Sequence, residues 1–265
     1  MLHIHLDPIL FQWGPIALRW HGLWVAAGLI AGYLVFEHQS RSRGIKREHV
    51  AELCLGMFVV GYLGARLMHV LYDWESYLAR PADILAVHKG GLRLYGALIG
   101  ILVVMLVYVR YRRLSFWMLA DSLGLALPVV VIVARVGCTI NGDRWGLPTD
   151  GSWGLVYWHP DASIPAHLRG VPTFPLPIAL QLWSAGLLIL LLVLRKRLSR
   201  PGLLFLIAMI GYSLGRFVVG AWQPEKPFLF GLGQTRVVAL GVVGLGMLVL
   251  ALMKARTASR PTDQQ

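Results

Sequence analysis

Seven long apolar stretches, at 17–38, 50–72, 92–110, 116–135, 176–194, 202–222 and 233–253, alternate with short polar ones along the chain. Each is close to or above the roughly 20 helical residues needed to cross a hydrocarbon core of about 30 Å, so the pattern predicts seven transmembrane helices. Small residues four apart, Gly28 with Gly32, Gly96 with Gly100 and Gly211 with Gly215, predict close helix packing. Three segments between the spans fall on the same side: 1–16, 73–91 and 136–175. Trp13, Trp74 and Tyr77 mark the first two as arms lying in the membrane interface. The third is rich in Gly, Pro, Trp and His and too long for a passive turn, which predicts a small external head between helices 4 and 5. The expected fold is thus an all-α polytopic membrane protein, a single transmembrane domain over 1–265 with a head insertion at 136–175.

Composition agrees with that pattern: 57% of residues are hydrophobic, 14% are charged, and mean hydropathy is +0.63. Charge adds an orientation. Fourteen of the 25 Lys and Arg residues follow the first, third, fifth and seventh stretches: Arg41, Arg43, Lys46 and Arg47; Arg110, Arg112 and Arg113; Arg195, Lys196, Arg197 and Arg200; Lys254, Arg256 and Arg260. By the positive-inside rule these ends face the cytoplasm, which puts the N-terminus outside and the C-terminus inside. The net charge of +12 is then a membrane feature suited to anionic lipid, and nucleic-acid binding is not expected. The first residues lack the basic region and cleavage site of a secretory signal, so no processed leader is expected. Cys54 and Cys138 fall at different depths, which predicts neither a disulfide nor a cysteine-based metal site.

This orientation places Arg19, His21, Arg66, His69, Arg93, Tyr95, Arg135 and Arg216 in the outer half of the membrane. Counted at 1.5 Å per residue, Arg216 and Arg66 lie about 22 and 24 Å from the inner ends of their helices, hence within roughly 10 Å of the outer surface. An arginine at that depth costs a few kcal/mol and needs a carboxylate, carbonyls, water or an anionic ligand. Glu37, Glu52 and Asp121 belong to the inner half, leaving Asp73, Glu75, Asp143 and Glu225 to the outer side. Acids are too few for the arginines, and the anion available at that depth is a phospholipid phosphate, which a guanidinium binds through two hydrogen bonds. Plainer roles also exist: Arg19 and Arg93 can snorkel to the interface, Arg135 can anchor the end of the fourth helix, His21 and His69 can be buried hydrogen-bonded residues, and Tyr95 can be a belt aromatic. The nine histidines show no metal-ligand spacing, so no metal is expected, and there is no G-x-S-x-G nucleophile elbow.

Several segments add a more specific signal. Ala134-Arg135-Val136-Gly137-Cys138-Thr139-Ile140-Asn141-Gly142-Asp143-Arg144-Trp145-Gly146 is similar to the signature G-R-x-G-N-x-x-N-x-E-x-x-G. Arg19-Trp20-His21-Gly22, Gly64-Ala65-Arg66-Leu67, the stretch from Gly90 to Gly100, Pro148-Thr149, Trp153-Gly154, Arg216 and Gly233-Gln234 follow in matching order. Together they resemble the prolipoprotein diacylglyceryl transferases of bacterial inner membranes, a family of seven spans with the N-terminus periplasmic and the C-terminus cytoplasmic. The chain departs from that pattern at several points. Cys138 stands where the family has Asn, Asp143 replaces Glu, His21 replaces Tyr, Gly220 occupies a Glu position, and Phe174–Leu180 lacks a Tyr and a Glu.

The resemblance implies transfer of an sn-1,2-diacylglyceryl group from phosphatidylglycerol to the lipobox cysteine thiol of a preprolipoprotein, with release of glycerol 1-phosphate and no cofactor. It assigns catalytic roles to Tyr95, Arg135 and Arg216, and substrate binding to His21, Arg66, Gly96, Asn141, Asp143, Gly146 and Gln234. Arg135 and Arg216 would hold the phosphate, Tyr95 would accept the proton with His21 or His69 as substitutes, and Gly137 and Gly146 would permit tight turns. The departures also fit a non-catalytic or altered-substrate paralogue that binds anionic phospholipid or a lipoprotein precursor. A transporter is disfavoured, because no polar stripe crosses the inner half.

Overall fold

The computed structural model describes residues 1–14, 16–84, 91 and 93–258. Eight α-helices are found among them: α1 (Trp20–Arg41), α2 (Arg47–Tyr72), the short α3 (Trp74–Ala79), α4 (Leu94–Arg112), α5 (Phe116–Asn141), α6 (Leu176–Leu194), α7 (Leu203–Val219) and α8 (Gln234–Ala258). Six of these regions, from α2, α4, α5, α6, α7 with the turn after it, and α8, are long and apolar enough to cross a membrane, so the chain is a multi-pass membrane protein. The helix α1 stands apart from the six. Its 22 residues carry His21 at one end and Glu37, His38 and Gln39 at the other, which shortens the apolar stretch between them.

The all-α expectation needs correction at the polar ends. Three two-stranded sheets occur among the described residues. β1 (Leu2–Ile4) runs parallel to β4 (Leu155–Tyr157), β2 (Ile9–Trp13) forms an antiparallel hairpin with β3 (Ile16–Arg19), and β5 (Pro227–Leu229) pairs with β6 (Leu232–Gly233). The first predicted arm is therefore strand, and α1 begins at Trp20, three residues later than its apolar run, because Ile16–Arg19 is taken up by the hairpin. The fourth helix runs past its predicted end at Arg135 to Asn141. Gly142, at φ 70°, terminates it, and its N–H donates to the Cys138 carbonyl. The second predicted arm contains α3 and a 3-10 turn at Pro81–Ile84. Its remainder at 85–90, the predicted start of the third span at Leu92, and Arg260 of the last basic cluster lie outside the described residues.

The chain divides into two compact units, Met1–Phe36 with Ala120–Gln265 and Glu37–Leu119. In the first, Leu125, Leu187, Leu191, Leu204 and Ala208 form a core shared by α5, α6 and α7. Asp121 on α5 accepts hydrogen bonds of 2.9 Å from the backbone N–H groups of Gly202 and Phe205, so a carboxylate satisfies the positive N-terminus of α7. Glu225 does the same for α8, accepting from Thr235 N–H at 2.9 Å. A second cluster, Leu155, Tyr157, Ala162 and Ile164, gives the segment between α5 and α6 its own small core.

In the second unit, α2 packs on α4 through glycines. A Cβ on Gly96 would lie 2.1 Å from the Gly64 carbonyl oxygen, and one on Gly100 would lie 2.5 Å from that of Val60. Backbone approach this close is available only without side chains. Basic residues at the predicted inner ends pair locally, Arg47 with Glu37 at 3.1 Å and Arg112 with Glu52 at 2.7 Å.

Gly96→Ala should lower the thermal unfolding midpoint of the detergent-solubilised protein, by an amount corresponding to about 1–3 kcal/mol of overpacking. Gly186→Ala on α6, where a Cβ meets nothing within 4 Å, should leave it unchanged or raise it slightly.

Candidate active site

The first unit gathers polar residues around the C-terminal turns of α5. Arg135 and Cys138 are three residues apart and so share a face; Arg135 Nη1 donates to Cys138 Sγ at 3.4 Å. His21, in the first turn of α1, approaches the same thiol, with Nδ1 3.8 Å from Sγ. Asp143, just beyond the Gly142 turn, places Oδ2 3.2 Å from His21 Nδ1. Gly137 makes this arrangement possible by proximity rather than by a turn. It is helical, and a Cβ there would stand 2.9 Å from His21 Cα and from Trp24 Cβ. Asn141 is buried and serves as a joint: its Oδ1 accepts from Arg19 Nη1 at 3.2 Å and its Nδ2 donates to Ser163 Oγ at 3.0 Å.

Arg216 is half-buried on α7 and interacts electrostatically with Arg135, Arg144, Tyr212 and Glu225. Tyr212 precedes it by one turn and interacts electrostatically with both Arg135 and Arg216, linking α5 to α7. Arg216 Nη2 donates to Thr235 Oγ1 at 3.3 Å, and Thr235 in turn hydrogen bonds to the Glu225 carboxylate through its hydroxyl and its N–H. Among the described residues, neither Arg135 nor Arg216 forms an ion pair with a carboxylate of its own. Two guanidinium groups thus share one polar region in which Glu225 acts on Arg216 through space and through Thr235, without a direct ion pair, an arrangement suited to an anion. Gln234 opens α8 beside Thr235 and is exposed.

Other assignments change. Arg66 belongs to the second unit and has ample partners. Its Nε donates to the Ile84 carbonyl at 2.9 Å, Nη1 to that of Gly91 at 3.0 Å and Nη2 to that of Asp83, with Tyr77 under the guanidinium. It fastens the segment after α3 to α2, and the expected shortage of partners does not apply to it, because carbonyls supply what acids do not. Tyr77 itself lies beneath the Arg66 guanidinium and meets His69 edge to face. His69 and Arg93 converge on Asp73, at 3.4 and 3.9 Å. Gly96 is buried against Gly64 and performs packing. Tyr95 is exposed in the first turn of α4. Gly146 is also a packing residue: a Cβ there would be 2.6 Å from Phe174 Cβ and 3.1 Å from the Trp222 carbonyl oxygen.

Tyr212, Thr235 and Ser163 escaped the sequence reading. Tyr212 carried a signal, since it lies four residues before Arg216 on one helical face. Thr235 and Ser163 carried none, as their partners are 19 and 22 residues away in sequence.

The family model for prolipoprotein diacylglyceryl transferase matches residues 8–252. The chain belongs to the prolipoprotein diacylglyceryl transferase family. It is 30% identical to the phosphatidylglycerol–prolipoprotein diacylglyceryl transferase of Lysinibacillus sphaericus over 100% of this chain and 99% of the relative. Proteins of the same name from Acaryochloris marina (30% identity, 97% of this chain and 94% of the relative) and Thermosynechococcus vestitus (33%, 88% and 87%) are similar over comparable spans. Seen within the diacylglyceryl transferase family, the departures of this chain have local compensation. Leu180, at a position expected to be Glu, is buried in an apolar cluster with Leu176 and Val219. Where Gly220 lacks a carboxylate, Glu225 reaches Arg216 through Thr235.

Tyr157 braces the site from behind, donating from its hydroxyl to the Thr139 carbonyl at 2.8 Å while only 1% exposed. Burial pushes its phenol above the ordinary tyrosine value. The folded state therefore holds the neutral form while the unfolded chain ionises near pH ~10. Stability from this group is complete below that pH and is lost as pH rises through it. Tyr157→Phe should lower stability by about 1 kcal/mol at neutral pH. It should also flatten the alkaline decline in unfolding midpoint between roughly pH 9 and 11.

Proposed function

We propose that this transferase moves an sn-1,2-diacylglyceryl group from phosphatidylglycerol to the lipobox cysteine thiol of a preprolipoprotein and releases glycerol 1-phosphate. The observation that carries the reading is the pair Arg135 and Arg216: half-buried, in electrostatic contact, and hydrogen bonded to a thiol and a hydroxyl rather than to carboxylates of their own. A lipid phosphate fills that need and brings the glyceryl carbon to the site. The topology that goes with this function has seven spans, α1 included, with the N-terminus periplasmic, the C-terminus cytoplasmic, and a periplasmic head from the end of α5 to the start of α6.

In the reaction the peptide thiol sulfur bonds to the terminal glyceryl carbon. The carbon–oxygen bond to phosphate breaks, and its electron pair leaves with glycerol phosphate. Arg135 and Arg216 stabilise the charge gathering on the departing oxygens, the term that dominates such catalysis. The positive field also favours the thiolate form of the incoming cysteine. Asn141 holds Arg19, and Asp143 orients His21. Of the three candidate proton acceptors, His21 lies in the same compact unit as the two arginines and is 3.8 Å from the nearest thiol, that of Cys138. Tyr95 and His69 belong to the other unit. Arg66 and Gly96 support the second unit by packing, and Gly146 and Gln234 line the entries to α6 and α8.

Purified protein in detergent, given phosphatidylglycerol and a lipobox peptide, should produce a thioether-linked peptide and free glycerol phosphate in equal amounts. Arg135→Ala and Arg216→Ala should each reduce kcat by about 10²–10³, with membrane insertion intact. Lipid binding without turnover, while a relative works in parallel, would leave the silent lipid-binding paralogue as the correct reading. His21→Ala and Tyr95→Phe separate the proton acceptors: a fall in kcat of about 10²–10⁴ in only one of them identifies the base.

A further inference from the structure

We infer that His21, Cys138 and Asp143 form a binding site for a thiophilic divalent cation of the zinc type. His21 is remote in sequence from the other two, 117 positions from Cys138, yet the ligand atoms of all three lie within 4.8 Å of one another. His21 Nδ1 is 3.2 Å from Asp143 Oδ2 and 3.8 Å from Cys138 Sγ. Tetrahedral zinc bonds of about 2.0–2.3 Å separate neighbouring nitrogen, oxygen and sulfur ligands by about 3.4–3.6 Å. The imidazole is thus already spaced for an ion held between it and the other two groups. A second observation comes from Asp143 itself. Its Oδ1 is buried and, among the described residues, has no hydrogen-bond partner. A buried carboxylate oxygen without a donor is costly, and a cation relieves that cost.

Charge is the strongest objection to such a site, since Arg135 donates to Cys138 Sγ and Arg144 acts on it as well. The ligand set answers it. A thiolate and a carboxylate cancel a divalent charge, so the arginines face a neutral centre. The Arg135 hydrogen bond to sulfur is then an outer-shell contact of the kind that orients thiolate ligands. Solvent reaches the cluster past His21 and Asp143, whose side chains are 35% and 27% exposed, while Cys138 is 5% exposed. Three protein ligands leave a fourth position for water or another small ligand. Thiolate with imidazole selects zinc over magnesium or calcium. Because His21 and Asp143 are also the groups assigned above to the substrate, ion and lipid would exclude one another. The cation site itself does not depend on that assignment.

Cobalt(II) reports on the site directly, because a thiolate ligand gives it a charge-transfer absorption band in the near ultraviolet. Untagged full-length protein in detergent, carrying His159→Ala to remove the exposed cluster of Asp7, His159 and Asp161, should bind one equivalent with that band, and Zn²⁺ should displace it. Cys138→Ser should abolish the band, Cys54→Ser should keep it, and Asp143→Asn should weaken binding at least about tenfold. No band from a protein with an unaltered unfolding midpoint overturns the inference. A band that survives Cys138→Ser, or cobalt bound without any band, overturns it equally. Each readout is independent of transferase activity, so failure of the lipid reaction and failure of the metal site are told apart.

Discussion

Guanidinium groups inside a membrane cannot lose their charge and cannot be left unsolvated, and that constraint organises this protein. Each outer arginine must find a substitute for water. Arg66 finds three backbone carbonyls and an aromatic face, Arg93 finds Asp73 and the ring of Tyr72, and Arg19 finds Asn141 and the Asp161 carbonyl. Arg135 and Arg216 are treated differently. Arg135 donates to a cysteine and Arg216 to a threonine, and Glu225 is joined to Arg216 only by way of that threonine. With Arg19, Arg66 and Arg93 held by structure, these two are the arginines on which the proposed lipid-phosphate site rests.

The scaffold around them is built so that polar residues close to the bilayer do not stray. Asp121 and Glu225 are spent on the N-termini of α7 and α8, where the unpaired N–H groups and the helix dipole hold a carboxylate firmly. Glu225 is the more consequential of the two, because the same carboxylate that caps α8 also fixes Thr235, the hydroxyl on which Arg216 rests. Behind the candidate site, Tyr157 and Ser163 secure the end of α5 through Thr139 and Asn141, so the segment between α5 and α6 braces that helix. Gly137 lets α1 approach close enough to bring His21 to Cys138.

Family membership and local chemistry explain different things. Membership accounts for the likeness in sequence over residues 8–252. It does not account for Cys138 near the end of α5, set beside His21 of α1. The physical consequence of that substitution is a soft ligand placed within reach of an imidazole and a carboxylate, in a protein whose other cysteine lies in the separate unit of α2.

Apolar run length and the placement of basic clusters were enough to read the long helices and their order, because a bilayer imposes one requirement on every crossing segment and local composition answers it. The glycine pair Gly96 and Gly100 on α4 was legible too, since only the absence of a side chain permits the approach to α2. Sequence did not show that Ile16–Arg19 joins a hairpin, because its apolar residues extend the run of the first helix, nor that Leu2–Ile4 pairs with Leu155–Tyr157, since that pairing depends on a partner some 150 residues away. Nor could it divide the arginines into satisfied and unsatisfied. Acidic residues can be counted along a chain, but the carbonyls that hold Arg66, the hydroxyl that holds Arg216 and the convergence of His21, Cys138 and Asp143 exist only once the backbone has turned back on itself.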